Sequence, residues 1–248
     1  MRRFPILLVA VLIPGTALAG KAFDTDDVSA RQLLEYLDHS DWRYRHDACE
    51  ALGDRKVAEA ADDLVRLVSE DPSERVRRRC LDALDRLRSG RLVPAAESMA
   101  LNDPDDGNRR RALAQIEDHG NERSGPVLGA VLQDDRDEDT RRKAAVILGK
   151  KNWRTGRAAL WAAATGDRSE DVRSAAVEAL ERAPAAEDRD ALVACLDDPE
   201  SDIQRHAARA LVRLGDASVG PILREKALDA KDKGVAEEFN EAAERLGS

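Results

Sequence analysis

Apolar positions recur along this chain as a helical stripe that restarts about every 32 residues. Starting from Tyr44, the stripe begins again at Val76, Asn108, Thr140, Val172, Ile203 and Val235, with one spacing of 31 among spacings of 32. Four residues after each of these anchors stand Ala48, Cys80, Ala112, Ala144, Ala176, Ala207 and Phe239. Eight residues after stand Leu52, Leu84, Ile116, Leu148, Leu180, Leu211 and Ala243. Positions 0, +4 and +8 share one face of a helix, and the small residue at +4 lets a neighbouring helix come close. A second stripe follows at +20 and +24: Leu64 and Val68, Leu128 and Leu132, Leu160 and Ala164, Leu192 and Leu196, Leu223 and Ala227. Each block therefore predicts two helices. Pro94, Pro126 and Pro221 fit the first turn of the second stripe's helix, and Gly90, Gly120 and Gly215 are expected just past the anchor helix. The segments "LNDPDDGN", "QDDRDEDT", "TGDRSEDV" and "LDDPESDI" supply Asp and Ser caps between helices.

Two short helices cannot bury both of their apolar faces alone, so successive pairs must stack. The pattern predicts an all-α fold, an α-solenoid of about seven two-helix repeats in one domain over 26–248. Its units are 26–55, 57–89, 91–119, 122–151, 154–184, 187–215 and 217–247. The first and last units depart from the consensus, as caps should. Composition agrees: 3% of residues are aromatic and 36% charged, and β-branched runs that would make a sheet are missing.

The pattern P-x-L…L-x-D…D-x-x-V-R-x-x-A-x-x-A-L resembles the bacterial HEAT repeat, including the HEAT-like type named after phycobilisome lyases. The resemblance covers essentially all of the chain beyond its first residues. It implies that the anchor helices line a concave surface. It also implies a structural ladder between the Arg after the anchor (Arg45, Arg77, Arg109, Arg141, Arg173) and the loop Asp five before the anchor (Asp71, Asp103, Asp135, Asp167, Asp198). Charge pairing across the turn would explain cations beside helix N-termini, where the dipole disfavours them.

The chain opens "MRRFPILLVAVLIPGTALAG": a basic start, a short apolar run, then Ala17-Leu18-Ala19 before Gly20. This predicts a signal peptide over 1–19, cleavage near Ala19, a short linker over 20–25, and an extracytoplasmic product, periplasmic or secreted. The apolar run is far short of a membrane span. Net charge is −9, and losing Arg2 and Arg3 makes the product more acidic still, which argues against general nucleic-acid binding. Cys49, Cys80 and Cys195 are an odd count on core-facing positions. Cys49 and Cys80 sit on adjacent anchor helices whose axes should stand about 8–10 Å apart, so a bridge is disfavoured and both are expected to act as small core residues.

Beyond the ladder lie further cations: Arg78 and Arg79, Arg110 and Arg111, Arg142 and Lys143. Arg78 can pair with Asp82 and His46 with Glu50 at i,i+4, but the equivalent positions for Arg110 and Arg142 are Ala114 and Val146. These six cations form a candidate concave patch for a carboxylate or phosphate; the competing reading is a solvated face neutralised by Asp105, Asp106, Glu138 and Asp139. Trp153 and Trp161 are a candidate aromatic spot, or loop packing.

No catalytic constellation is predicted. His39, His46, His119 and His206 fall at unmatched positions, no His-Glu pair occurs, and CxxC, HExxH, GxSxG and a phosphate-cradling Gly loop are missing. "DPDDGN" at 103–108 lacks the glycine and glutamate placement of a calcium loop. The expectation is a non-enzymatic exported scaffold that binds a protein or peptide, with no cofactor, metal or nucleic acid. The alternatives are a chromophore-lyase-like enzyme by family analogy and a binder of anionic envelope glycan.

Overall fold

The computed structural model describes residues 22–247, so the expected signal peptide lies outside the described residues. The chain divides into two compact units, one ending at Ser89 and one beginning at Gly90. Both are built only from helices and turns among the described residues, in the tandem two-helix order of an α-solenoid.

The first unit holds α1 (Ala30–Tyr36), α2 (Trp42–Asp54), α3 (Ala61–Glu70) and α4 (Glu74–Arg86). Helix α1 packs on α2, α3 on α4, and the two anchor helices α2 and α4 on each other. Ser29 caps α1 through a capping box with Gln32. Tyr44 stacks between His39 and Phe23, with ring centroids 4.1 and 5.3 Å away, and this aromatic group closes the open end of the first pair.

The second unit holds five pairs: α5 (Leu92–Asn102) with α6 (Asp106–His119), α7 (Gly125–Asp134) with α8 (Glu138–Lys151), α9 (Arg157–Gly166) with α10 (Glu170–Arg182), α11 (Arg189–Cys195) with α12 (Ser201–Leu214), and α13 (Gly220–Asp229) with α14 (Lys233–Gly247). The anchor helices α6, α8, α10, α12 and α14 pack in succession as one layer, and α5, α7, α9 and α11 as another. Between the layers lie Ile116, Leu128, Leu132, Leu180, Leu192, Leu211 and Leu223, all without solvent exposure. Each fully buried leucine or isoleucine contributes roughly 1.5–3 kcal/mol. Pro126 and Pro221 occupy the first turns of α7 and α13, where no N–H is missed. Asp105 and Asp137 cap α6 and α8 by accepting from the N–H groups of Asn108 and Thr140.

The ends of the anchor helices differ from expectation at two places. The left-handed residue falls twelve after the anchor, at Lys56 (φ 55°), Arg88 (φ 51°) and Asn152 (φ 51°), and glycine fills it only at Gly215 (φ 71°). Gly90 and Gly120 therefore do not serve as left-handed caps; Gly120 has extended backbone at φ −72° and ψ 174°. No described helix is long and apolar enough to cross a membrane.

The cysteines require a correction. Cys49 and Cys80 form a disulfide with their Cα atoms 5.2 Å apart, although their helices were expected to stand too far off. The cause is local close approach: a Cβ on Gly53 would meet the Ala83 Cα at 2.9 Å, so the missing side chain lets α2 and α4 touch backbone to backbone. The same contact recurs in the second unit, where a Cβ on Gly149 would lie 2.6 Å from the Ala179 Cα. The bridge spans 31 residues and ties α2 to α4. By loop-closure entropy a link of that length is worth about 3–4 kcal/mol. Cys195 is the free thiol; it is buried, and burial pushes its pKa up to about 12.

Thiol titration should therefore find no reactive cysteine in the native oxidised protein, one after denaturation and three after denaturation with reductant. Cys49→Ala with Cys80→Ala should lower the melting temperature, and adding reductant to that variant should change nothing further.

Candidate interaction surface

Five of the loops before anchor helices are each built on one aspartate. Its Oδ1 accepts the backbone N–H two residues on: Ser73 for Asp71, Asp105 for Asp103, Asp137 for Asp135, Ser169 for Asp167 and Glu200 for Asp198, each at 2.8–2.9 Å. The arginine after the anchor then makes two kinds of contact. Its Nη1 donates back to the carbonyl of its own loop aspartate, at 2.8 Å for Arg77, and at 3.0 Å for Arg109, Arg141 and Arg173. Its Nε and Nη2 reach forward to the aspartate of the next repeat. These forked pairs are Arg45 with Asp71 (2.6 and 2.9 Å), Arg109 with Asp135 (2.7 and 2.8 Å), Arg141 with Asp167 (2.8 and 2.9 Å), and Arg173 with Asp198 (2.7 and 3.2 Å). In these four pairs the carboxylate partner lies in the following repeat and not across the arginine's own turn.

These pairs are buried, with side-chain exposures of 3% and 9% for Arg141 and Asp167. Two forked bonds and a carbonyl satisfy most of the guanidinium, which is the condition for a buried ion pair to hold. Burial pushes the Asp167 carboxyl up, but hydrogen bonds from Arg141 and the Ser169 N–H and the arginine's charge outweigh it, leaving the group below its ordinary range. In the sixth repeat Gln204 replaces the arginine and keeps only the backward bond, 2.7 Å to the Asp198 carbonyl.

A second buried link was invisible to the repeat pattern. Asp188 has no solvent exposure and accepts from Arg157 Nε (2.6 Å), from Arg157 Nη2, from Trp161 Nε1 (2.7 Å) and from the Ala185 N–H (2.7 Å). Burial raises its pKa and the Arg157 hydrogen bonds lower it, with a net lowering. Trp161 is therefore a packing and hydrogen-bonding residue and not part of an exposed aromatic spot.

The candidate patch residues fall into different states. In the first unit Arg78 is exposed, while Arg79 donates to Glu50 Oε1 and His46 Nε2, both at 3.1 Å. Because arginine only donates, His46 Nε2 accepts and its Nδ1–H points to Asp47 Oδ1 at 2.9 Å. His46 is thus paired with Asp47, and the expected His46–Glu50 pair is replaced by Arg79–Glu50. Donor atoms of His46, Asp47 and Glu50 lie within 4.8 Å of one another, spacing that a metal ion could use. The Arg79 guanidinium already bonds two of these three groups, and the Ala22 N–H bonds the third.

In the second unit Arg110 has the carboxylates that its i,i+4 position lacks: Asp106 Oδ2 one turn back at 2.7 Å and Asp137 Oδ2 of the next loop at 2.6 Å. Arg142 is half exposed and leans toward Asp139 at 3.4 Å. Arg111 is exposed. Lys143 is half-buried and its Nζ donates to the Arg110 carbonyl at 2.9 Å. Burial lowers its pKa; Glu117 opposes that, and Arg111 and Arg110 add to it. One turn on, Val146 is 42% exposed.

With this geometry in place, the comparisons identify the class. The HEAT-repeat family model matches residues 30–117, 93–181 and 157–244, and the chain belongs to the HEAT-repeat family. Among solved structures it is similar to YibA of Escherichia coli, at 19% identity and a TM-score of 0.57 over 88% of this chain and 80% of that one. It is also similar to an engineered protein, at 22% identity and a TM-score of 0.50 over 90% of this chain and 69% of that one. The complex of CpcE and CpcF of phycocyanin lyase from Nostoc matches at 19% identity and a TM-score of 0.44, over 94% of this chain and 93% of that one. At these identities the likeness is one of fold. Comparison with curated proteins gave no match.

Removing one side of a satisfied buried pair strands the other, so Asp188→Ala should cost about 3–5 kcal/mol in chemical denaturation. Acid acts on the same groups. Asp137, Asp167 and Asp188 have folded pKa values below the unfolded value of about 3.9, so their stabilisation is complete above that pH and lost as pH falls through the folded values. The melting temperature should hold from neutral pH to about pH 5 and fall steeply below about pH 4.

Proposed function

We propose that this chain is an exported, non-enzymatic HEAT-repeat scaffold that holds a protein or peptide on the exposed face of its anchor-helix layer. The observation that carries the reading is the face of α6 and α8, where Val146 stands 42% exposed beside the half-buried Lys143. An exposed valine beside an imperfectly compensated cation contributes little to folding and is suited to contact with another molecule. Stacked repeats favour this use, because varying the exposed side chains changes the surface without changing the frame. Export is supported by the 1–19 segment read as a signal peptide and by the buried Cys49–Cys80 bridge, since such bridges persist in oxidising compartments and are rare in the cytosol.

Placing a photo-crosslinking residue at Val146 tests the binding face, with Leu228 as control. Leu228 is 88% exposed on α13, a helix outside the anchor layer. In cells exporting the protein, adducts should form from position 146 and not from 228; adducts from 228 alone would contradict the reading. Trapping thiols in intact cells should find Cys49 and Cys80 already oxidised, whereas a fully reduced protein would contradict export.

A further inference from the structure

We infer that the step between α6 and α8 takes an acidic-apolar peptide segment of a partner protein, with a carboxylate on the Lys143 ammonium and an aliphatic side chain over Val146 and Ala114. The inference rests on the binding-face reading above and names the chemistry of its occupant.

Two cross-links between the helices bound this step. At one end Lys143 Nζ reaches the Arg110 carbonyl, and at the other Lys150 is ion-paired with Glu117. Lys143 and Lys150 are seven residues apart on α8, or about 10 Å along the axis. Between them lie the exposed Val146 and the half-buried Ala114, so the floor of the step is apolar and small.

The ends differ in charge. Lys150 and Glu117 neutralise each other, and Arg110 is neutralised by both Asp106 and Asp137. Arg142 has Asp139 beside it. Lys143 is different: among the described residues no carboxylate lies within ion-pair distance of it, and one neutral carbonyl is its hydrogen-bond partner. An ammonium has three donors, so two remain for another molecule. A cation held partly out of water with no carboxylate in contact favours an incoming anion; burial disfavours its protonated form most, Arg111 and Arg110 add to this, and the more distant Glu117 and Asp118 oppose it.

The neighbouring valine sets the rest of the motif. Lys143 and Val146 are one helical turn apart, about 4.5 Å along the axis. Two same-side residues of an extended peptide are about 7 Å apart, so a carboxylate on the ammonium leaves the side chain two residues on to reach toward Val146. The occupant is therefore a segment with Glu or Asp two residues from Leu, Ile or Val. A phosphate or sulfated glycan would use Lys143 and leave Val146 idle.

Fluorescence anisotropy with short labelled peptides carrying Glu and Leu two residues apart in a Gly-Ser background tests this on the full exported chain. Gln-for-Glu and Ala-for-Leu peptides, inorganic phosphate and heparin serve as comparison probes. The Glu-Leu peptide should bind, each control peptide should bind at least tenfold more weakly, and Lys143→Met should lose at least tenfold while Lys143→Arg keeps most of the affinity. Arg142→Ala should change affinity less than threefold. Unchanged melting temperature in Lys143→Met shows that the fold is kept. Equal binding of Glu and Gln peptides, survival of binding in Lys143→Met, tighter binding of heparin than of any peptide, or no peptide binding at all overturns the inference. Crosslinks from position 146 that persist in Lys143→Met would overturn it while leaving the binding-face reading intact.

Discussion

The constraint on which this structure depends is the forward reach of a single arginine from one repeat to the next, made by Arg45, Arg109, Arg141 and Arg173. A pair of short helices leaves apolar surface on both flanks, and burying that surface fixes which faces meet but leaves small slips in register cheap. The forked bond from Arg109 to Asp135, and from Arg141 to Asp167, removes that freedom, because a planar guanidinium and a carboxylate accept one relative position. The same arginine also bonds the carbonyl of its own loop, so one side chain ties its helix start, the turn before it and the next turn together. Hydrophobic burial supplies the bulk of the stability and the arginine supplies its geometry.

This explains a charge pattern that is odd on its face. Cations at helix starts oppose the dipole by about 0.3–1 kcal/mol, a cost smaller than that of a buried aspartate left unpaired. The close approach of the anchor helices follows from the same tight register. Gly53 against Ala83 and Gly149 against Ala179 bring backbones together, and at the first of these places a pair of cysteines completes a covalent tie.

The architecture was legible in the sequence because it is written seven times. Residues such as Ala112, Ala144, Ala176 and Ala207 recur every 31 or 32 positions, and recurrence averages out local exceptions. Single events were not legible. A typical interaxial distance places Cys49 and Cys80 too far apart, but Gly53 allows a smaller one. For Arg110 the neutralising Asp106 is among the carboxylates that the competing reading names, whereas Asp137 lies in the next loop, beyond the reach of helix spacing. Asp188, Arg157 and Trp161 form their network once, so no period announces it. Lys143 sat within a cluster of similar cations, and only the placement of each carboxylate distinguishes it from them.

A double-mutant cycle on Arg141 and Asp167 tests the forward link most directly. Stability would be measured by chemical denaturation for Arg141→Met, Asp167→Asn and the pair, with Arg109 and Asp135 as a replicate site. The link predicts single losses of about 3–5 kcal/mol and a coupling of at least about 1.5 kcal/mol, so that the double variant is much less damaged than the two losses combined. Losses that simply add, within about 0.5 kcal/mol, would contradict it and leave apolar burial alone to set how neighbouring repeats meet.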